Sequence, residues 1–199
     1  MEITKYPIPK NNWSVGRGQY RPEIVVIHIS DGNAKSVIEE FTGKTEKSSH
    51  YFIKRDGSII QFVDEKNVAF SNGIVHLPVS KWVLEHKGLN PNLCSISVEH
   101  EGKNQDATEI QYQTSADLIS GICKRWLIPI GSDTIIPHYS IRQDKKCPRP
   151  IDVLKIINLI KEKQNLKKIE ELKTVKVSLL KQVLVALQKK LTELLTKIK

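Results

Sequence analysis

The alternation of β-forming runs with helical patterns between residues 24 and 160 constrains the fold of this chain more than any other feature. Ile24–His28 is a run of β-forming residues, and Ser95–His100 is a second strand with alternating character. A helical pattern lies between them at Ala34–Phe41, and another begins at Thr108 or Thr114. Strands interleaved with helices predict an α/β fold, in which a mixed central β-sheet of about four to six strands is flanked by helices.

Turn signals organise the remaining segments of this region. Tyr51–Lys54 and Ile59–Val63 flank an Arg-Asp-Gly-Ser sequence, and Asp-Gly between two β-rich runs predicts a hairpin. Residues 71–94 contain several Gly, Pro and Asn residues and indicate mostly loop, with a turn of helix near Lys81–His86. Ile135-Ile136 is a short strand that ends just before His138.

The C-terminal part of the chain has a different pattern. No Gly or Pro occurs after Pro150, so residues 151–199 are predicted to form one long helix or a helical hairpin. Apolar residues recur there at alternating spacings of 3 and 4, at Val177, Leu180, Leu184, Leu187, Leu191, Leu194 and Ile198. This heptad seam is typical of a coiled coil, although a terminal helix docked on its own domain is an alternative. We predict a domain at residues 1–160 and a basic amphipathic helical tail at residues 161–199.

The net charge of +9 is concentrated in this tail. Residues 161–199 carry 11 Lys and 4 Glu, a net charge of +7, whereas residues 1–160 carry a net charge of +2. A basic amphipathic helix predicts contact with an anionic envelope surface, and its heptads predict a homo-oligomer through residues 173–199 as an alternative. A solvated lysine-rich face is the third interpretation. Nucleic acid is not expected as a partner, because aromatic residues are not interleaved with the lysines.

The sequence shows neither a membrane span nor a secretion signal. No run of about 18 apolar residues occurs, and the N-terminal segment lacks the apolar core of a signal peptide. We therefore expect synthesis in the cytoplasm, with action outside the cell only after release. The three cysteines are an odd number without scaffold spacing, which argues against a disulfide framework.

Three residues form a candidate zinc site. His28 ends the first strand, and His138 and Cys147 close a short loop after the last one. Two imidazoles and one thiolate suit Zn²⁺, and three protein ligands leave a coordination position open, which is the catalytic pattern. Glu99 and Lys145 would then supply a base and a cation beside the metal. The sequence predicts a zinc hydrolase.

These segments, taken in order, resemble the zinc-dependent N-acetylmuramoyl-L-alanine amidases, a family that includes phage lysozyme-like amidases and peptidoglycan recognition proteins. The matching stretches are Val25–His28, Ser48–Gly57, Gln61–Val63, Asn92–Glu99, Pro137-His138 and Lys145–Pro148. The resemblance covers about residues 20 to 160 and leaves the tail outside it.

The resemblance implies a phage or prophage endolysin that cleaves the amide bond between N-acetylmuramic acid and the L-alanine of the stem peptide. Bacterial peptidoglycan would be its substrate, reached at the cell wall after release. His28, His138 and Cys147 match the family's Zn²⁺ ligands. Glu99 matches its acidic residue, which would move the proton, while Lys145 would stabilise the oxyanion. Glu101, two residues along the same strand, is the alternative base.

Three further residues are predicted to contact substrate. His50 follows the family's Ser-x-His-Tyr pattern, which suggests a substrate-side or a supporting role. Ala69-Phe70-Ser71-Asn72-Gly73 stands where many members carry Ala-Trp-His-x-Gly. This chain therefore lacks a substrate-facing imidazole there, and Ser71 and Asn72 are expected in its place.

Two other functions remain open at the level of sequence. A non-catalytic muropeptide-binding module would keep the fold, but it has no need for an open zinc site. A cytoplasmic recycling amidase acting on soluble muropeptides would use the same chemistry, and the lysine-rich tail argues against it.

Overall fold

The computed structural model describes residues 2–102 and 105–197; for residues 189 and 191–197 the description is limited to the main chain. The chain divides into two compact units, Met1–Ile160 and Lys161–Lys199.

The first unit is an α/β domain. Its strands are β1 (Ile3–Lys5), β2 (Trp13–Ser14), β3 (Ile24–Ile29), β4 (Tyr51–Ile53), β5 (Ile59–Gln61), β6 (Val68–Ala69), β7 (Ser95–His100) and β8 (Ile135–Pro137). Its helices are α1 (Ala34–Thr42), α2 (Lys81–Glu85), α3 (Glu109–Trp126) and the beginning of α4 (Val153–Lys197). Short 3₁₀ turns occur at Lys10–Asn12, Pro91–Cys94 and His138–Ser140.

Six strands form one mixed sheet in the order β1-β5-β4-β7-β3-β8, and β2 pairs with β6 apart from it. The pairs β1–β5, β4–β7, β7–β3 and β3–β8 are parallel, whereas the hairpin β4–β5 is antiparallel. This arrangement confirms the predicted mixed α/β sheet flanked by helices. The edge strand β1 was not predicted, because a three-residue strand next to two prolines leaves no periodic signal.

The central strand β3 separates two parts of the core. All of Ile24–Ile27 are completely buried. Val25 and Ile27 pack in the cluster that contains residues of α3 and α4, whereas Ile24 and Val26 pack in the cluster that contains residues of α2. Burying each such side chain contributes about 1.5–3 kcal/mol, so this run anchors the sheet. Alternation along β3 places His28 on the same side as Ile24 and Val26.

Side-chain caps decide where the helices begin. Asn33 caps α1 by accepting a hydrogen bond from the Ser36 N–H. Thr108, rather than Thr114, begins α3 through a capping box with Gln111. The Asp152 carboxylate accepts from the N–H groups of Leu154 and Lys155 at the start of α4.

The second unit is helical. Helix α4 runs without interruption from Val153 to Lys197, so the long C-terminal helix is confirmed and the helical hairpin is wrong. The seam residues Val177, Leu180, Leu184 and Leu187 are each more than half exposed. The side chains of Leu191 and Leu194, and all of Ile198, lie outside the described residues, so the coiled coil stays a prediction. Among the described residues, no helix combines the length and apolarity needed to cross a bilayer.

Candidate active site

The site lies where three parallel strands end. His28 is the penultimate residue of β3, and it is the register partner of Glu99 on β7. His138 follows directly after β8, the strand on the other side of β3. Because the carboxyl ends of parallel strands meet at one edge of a sheet, these side chains converge there.

The three predicted metal ligands come together at this edge. The ligand atoms offered by His28, His138 and Cys147 all lie within 4.8 Å of one another. His28 Nδ1 is 3.9 Å from Cys147 Sγ, and the centres of the two imidazole rings are 4.4 Å apart. Two imidazoles and a thiol this close form a donor set that suits Zn²⁺.

Main-chain groups orient these side chains. His138 Nε2 lies 3.1 Å from the Asn72 carbonyl oxygen, so an N–H at Nε2 donates to it and leaves the Nδ1 lone pair for a metal. The Ile29 N–H donates to Cys147 Sγ over 3.2 Å. Beneath the site, His100 Nδ1 lies 3.0 Å from the His28 carbonyl oxygen and ties β7 to β3.

The protonation states of the cluster fit a cation. Burial lowers the pKa of His28 well below its usual value, and the proximity of His138 adds to that effect. Burial also lowers the pKa of His138. Both imidazoles are therefore neutral at pH 7, as metal ligands must be.

Two further features of the cluster point to the same conclusion. Burial, and then the charge of Glu99, raise the pKa of the Cys147 thiol, which therefore needs a nearby cation to ionise. His28 Nε2 is buried and has no hydrogen-bond partner in the part of the chain that the structure describes. The donor set, the protonation states and this unpartnered atom all fit a bound metal ion.

The cluster opens into a cleft of about 830 Å³. Glu99 lines this cleft, and burial, followed by the charges of Glu40 and Asp31, raises its pKa to about 8. A carboxyl group with a pKa near neutrality can both accept and donate a proton, as a general acid–base catalyst must. Lys145 is exposed and also lines the cleft.

His50 lies elsewhere, which does not fit the predicted substrate contact. Its side chain is completely buried. Its Nε2 is 2.8 Å from Arg17 Nη2, and its Nδ1 is 2.9 Å from Ser97 Oγ. Burial, with the charge of Arg17, lowers the pKa of His50 to about 3, so the ring is neutral. The supporting role, which was the alternative for His50, agrees with this position.

The two remaining residues predicted to contact substrate, Ser71 and Asn72, lie in different surroundings. Ser71 lines the cleft, as expected. Asn72 does not, because its side chain is completely buried and its Nδ2 donates to Ser95 Oγ over 2.9 Å. Substrate contact by the Asn72 side chain is therefore not compatible with this structure.

The alternative base, Glu101, is occupied by main-chain hydrogen bonds. Its two carboxylate oxygens accept from the N–H groups of Ala34 and Arg55, at 2.8 and 2.9 Å. It supports the start of α1, and it is not among the residues that line the cleft.

Sequence reasoning missed several charged residues of the cleft. They are Asp31, Glu40, Glu46, Lys47, Arg142, Lys146 and Arg149. They come from the segment around α1 and from the loop that carries Cys147. Single charged residues in loops carry no periodic signal, and only their positions in or directly after the metal-ligand loop could have suggested the last three.

Comparison with known proteins agrees with this geometry. A family model described as N-acetylmuramoyl-L-alanine amidase matches residues 18–150, which is more than half of the chain and includes all three candidate ligands. No curated protein matches the sequence.

Solved structures share the fold. A selenomethionine derivative of AmpD aligns with a TM-score of 0.65 at 22% identity, covering 80% of this chain and 94% of that chain. PlyL aligns with a TM-score of 0.57 at 22% identity, covering 74% of this chain and 87% of its own. The N-acetylmuramoyl-L-alanine amidase LysC from Clostridium intestinale aligns with a TM-score of 0.55 at 17% identity, covering 83% and 98%.

Proposed function

Because the chain belongs to the N-acetylmuramoyl-L-alanine amidase family, we propose that it is a zinc-dependent peptidoglycan hydrolase of the endolysin type. The bond cleaved is the amide between N-acetylmuramic acid and the L-alanine of the stem peptide. The observation that carries this proposal is the placement of the His28, His138 and Cys147 cluster beside Glu99 in a single cleft.

His28, His138 and Cys147 would hold the zinc ion. A bound Zn²⁺ supplies Lewis acidity to such a cleft. The residues around the cluster prepare it for this task, because the Asn72 carbonyl orients His138 and the Ile29 N–H favours the thiolate form of Cys147.

Glu99 moves the proton in this mechanism. As a carboxylate it takes a proton from the attacking water, whose oxygen forms the new bond to the amide carbon. When the C–N bond breaks, the same carboxyl group passes the proton to the departing nitrogen of L-alanine. Its pKa of about 8 without a cation reflects burial beside Glu40 and Asp31, and a nearby cation favours the ionised form that the first step needs.

Lys145 stabilises the charge that develops on the carbonyl oxygen. Its ammonium group lies on the metal-ligand loop and lines the cleft. A cation aimed at a developing oxyanion acts more strongly in the transition state than in the ground state, and such groups contribute about 3 kcal/mol in other enzymes.

The tail, residues 161–199, brings this catalytic domain, residues 1–160, to its substrate. We propose that its net charge of +7 and its apolar seam bind the anionic surface of the cell envelope once the protein has been released to the wall. The seam residues described by the structure are exposed, as a docking face requires.

The proposed activity is tested by release of stem peptides from purified sacculi, with and without chelation of zinc. Mass spectrometry should detect new L-alanine amino termini only in the presence of metal. A folded, zinc-loaded protein that binds muropeptides without cleaving them would instead be a binding module. Faster cleavage of soluble muropeptides than of sacculi would indicate a recycling amidase.

A matched pair of variants tests the tail. Leu184→Asn alters the seam, whereas Val185→Asn alters the neighbouring, similarly exposed position outside it. We expect only Leu184→Asn to weaken co-sedimentation with vesicles containing anionic lipids. If the wild-type protein sediments as an oligomer and does not bind the vesicles, the result would support self-association through residues 173–199.

A further inference from the structure

The wall of the cleft formed by the metal-ligand loop is rich in basic residues. Arg142, Lys145, Lys146 and Arg149 line this wall. Lys145 already has a role near the scissile amide, so the others are available for other parts of the substrate. Arg142 differs from the two lysines because it carries a planar guanidinium held by a carboxylate. It differs from Arg149 because the Arg149 guanidinium lies over the Tyr139 ring, 4.9 Å from its centre.

Asp144 holds one edge of the Arg142 guanidinium. Arg142 Nε donates to Asp144 Oδ1 over 3.1 Å, and Nη2 donates to Asp144 Oδ2 over 2.7 Å. This two-point contact fixes the plane of the group and leaves the edge formed by Nη1 and the second Nη2 hydrogen unused.

Gly73 supports the other side of the same group. A Cβ atom at residue 73 would lie only 2.5 Å from Arg142 Nη1, so the guanidinium rests on the bare glycine backbone. The φ angle of Gly73 is +61°, a conformation that other residues rarely adopt. Both Gly73 and Arg142 line the cleft, and no described residue accepts a hydrogen bond from Nη1.

The position is close to the reacting groups. Arg142 lines the same cleft as His138 and Glu99. Arg142 also follows His138 by one turn, since its main-chain N–H donates to the His138 carbonyl over 3.2 Å. A group bound at Nη1 would therefore belong to a substrate whose scissile amide lies at the metal cluster.

We propose that Arg142 binds a free carboxylate of the stem peptide and makes the enzyme selective for peptides that carry it as the acid rather than the carboxamide. The inference rests on the proposed amidase function. A guanidinium edge pairs with a carboxylate through two parallel charge-assisted hydrogen bonds, whereas a carboxamide offers one acceptor and places an N–H₂ donor against the second N–H.

The test compares two muramoyl peptides that differ only in whether the residue after L-alanine carries a free α-carboxylate or its carboxamide. The zinc-loaded wild-type protein should cleave the acid with a kcat/KM about 10- to 100-fold higher, as expected for hydrogen bonds to a charged group. Arg142→Gln should lower kcat/KM for the acid to the level of the carboxamide. Arg142→Lys should retain only part of the preference for the acid.

Lys146→Gln is the matched control, since it removes one positive charge from the same wall without removing the fixed guanidinium. It should keep the preference for the acid. Equal loss of preference in Lys146→Gln and Arg142→Gln would overturn the proposal in favour of general charge attraction. Equal cleavage of both peptides by the wild type, or a full preference in Arg142→Gln, would also overturn it.

Binding measurements distinguish a failure of the proposed carboxylate site from a failure of the proposed amidase function. If the wild type cleaves neither peptide, the amidase assignment fails, and calorimetric titration with the same two peptides still tests Arg142. Tighter binding of the acid, lost in Arg142→Gln, would support the carboxylate site, whereas equal binding would contradict it. Circular dichroism of each variant establishes that the fold is retained.

Discussion

His28 and His50 are both almost completely buried in the same domain, yet their surroundings differ in one respect. Both ring nitrogens of His50 have hydrogen-bond neighbours, Arg17 and Asn67 at Nε2 and Ser97 at Nδ1. His28 Nε2 has none among the described residues. Buried polar atoms are normally satisfied, so a closed network indicates a structural role and an unsatisfied atom indicates a missing ligand.

Arg17 shows how completely the network around His50 is closed. Its guanidinium donates to the carbonyl oxygens of Glu65, Asn92, Leu93 and Ser95, at 2.7–3.1 Å. Its positive charge is solvated by carbonyl groups, and burial lowers its pKa to about 10. The network therefore joins the segment before β3 to the loop before β7.

The largest expected effect is on catalysis, and it distinguishes the catalytic role of Glu99 from the structural role of Glu101. Glu99→Gln should reduce kcat by about 10²- to 10⁴-fold, because the amide cannot accept the proton from water. Metal content and thermal stability should stay close to those of the wild type. Glu101→Gln is the control, because it weakens main-chain contacts and should lower stability more than kcat. Turnover by Glu99→Gln at the wild-type rate would remove Glu99 from the mechanism.

Arg17→Met should break the closed network. It leaves several buried carbonyl oxygens without their donor and removes a neighbour of His50, so we expect a loss of about 3 kcal/mol or more in the free energy of unfolding. Urea denaturation of the metal-free protein measures this loss. His138→Ala in the same assay should cost less, because the metal cluster is not satisfied without its ion. A larger loss for His138→Ala than for Arg17→Met would contradict the contrast between the two sites.

Metal removal should destabilise the protein through the His28, His138 and Cys147 cluster, and the network around His50 should not contribute to this effect. If zinc binds the folded cluster, free zinc at 100 times its Kd stabilises the protein by about 2.7 kcal/mol, and chelation abolishes this gain. The gain should persist in His50→Gln and disappear in Cys147→Ala. Thermal denaturation with and without chelator measures it. Zinc-dependent stabilisation of Cys147→Ala would place the metal elsewhere.

Asn72→Leu should weaken zinc binding by about 10- to 100-fold. Asn72 Oδ1 and His28 Nε2 are both buried, and neither has a hydrogen-bond partner among the described residues. The Asn72 side chain nevertheless opposes the effect of burial on the pKa of His28. Competition with a fluorescent chelator measures the affinity. Ser71→Ala, at the adjacent position that lines the cleft, should bind zinc as the wild type does. Equal affinity of Asn72→Leu and wild type would show that the main-chain carbonyl of Asn72 is sufficient.

The last prediction concerns the dependence of stability on pH. His50 has a pKa of about 3 when folded and about 6.5 when unfolded, so the unfolded chain binds the extra proton between these values. The stability that this group contributes is complete above pH 6.5 and falls by about 1.4 kcal/mol per pH unit below it. His50→Gln should therefore show a shallower loss of stability between pH 6 and pH 4. An unchanged slope in urea titrations would contradict a neutral buried His50.

Local signals in the sequence were sufficient to predict most of the longer strands and helices. The apolar run at Ile24–Ile27 predicted β3, Asp56-Gly57 predicted the β4–β5 hairpin, and Thr108 was one of two proposed starts of α3. Each of these signals depends on neighbours along the chain, through periodicity, turn conformation or capping. The order of strands in the sheet depends on contacts between distant residues, and local patterns leave it open.

The sequence by itself determined the mixed α/β class, the family and the helical character of the C-terminal segment, because periodicity and ordered motifs are properties of the chain. Only the tertiary structure decided which polar residues face the cleft. Ser71 and Asn72 are adjacent in sequence, yet one lines the cleft and the other is buried behind the histidines. The tertiary structure also decided the orientation of Arg142, because its guanidinium is held by Asp144 and fits only where Gly73 has no side chain. Burial and hydrogen-bond partnership arise from packing between distant segments, and a linear pattern does not encode them.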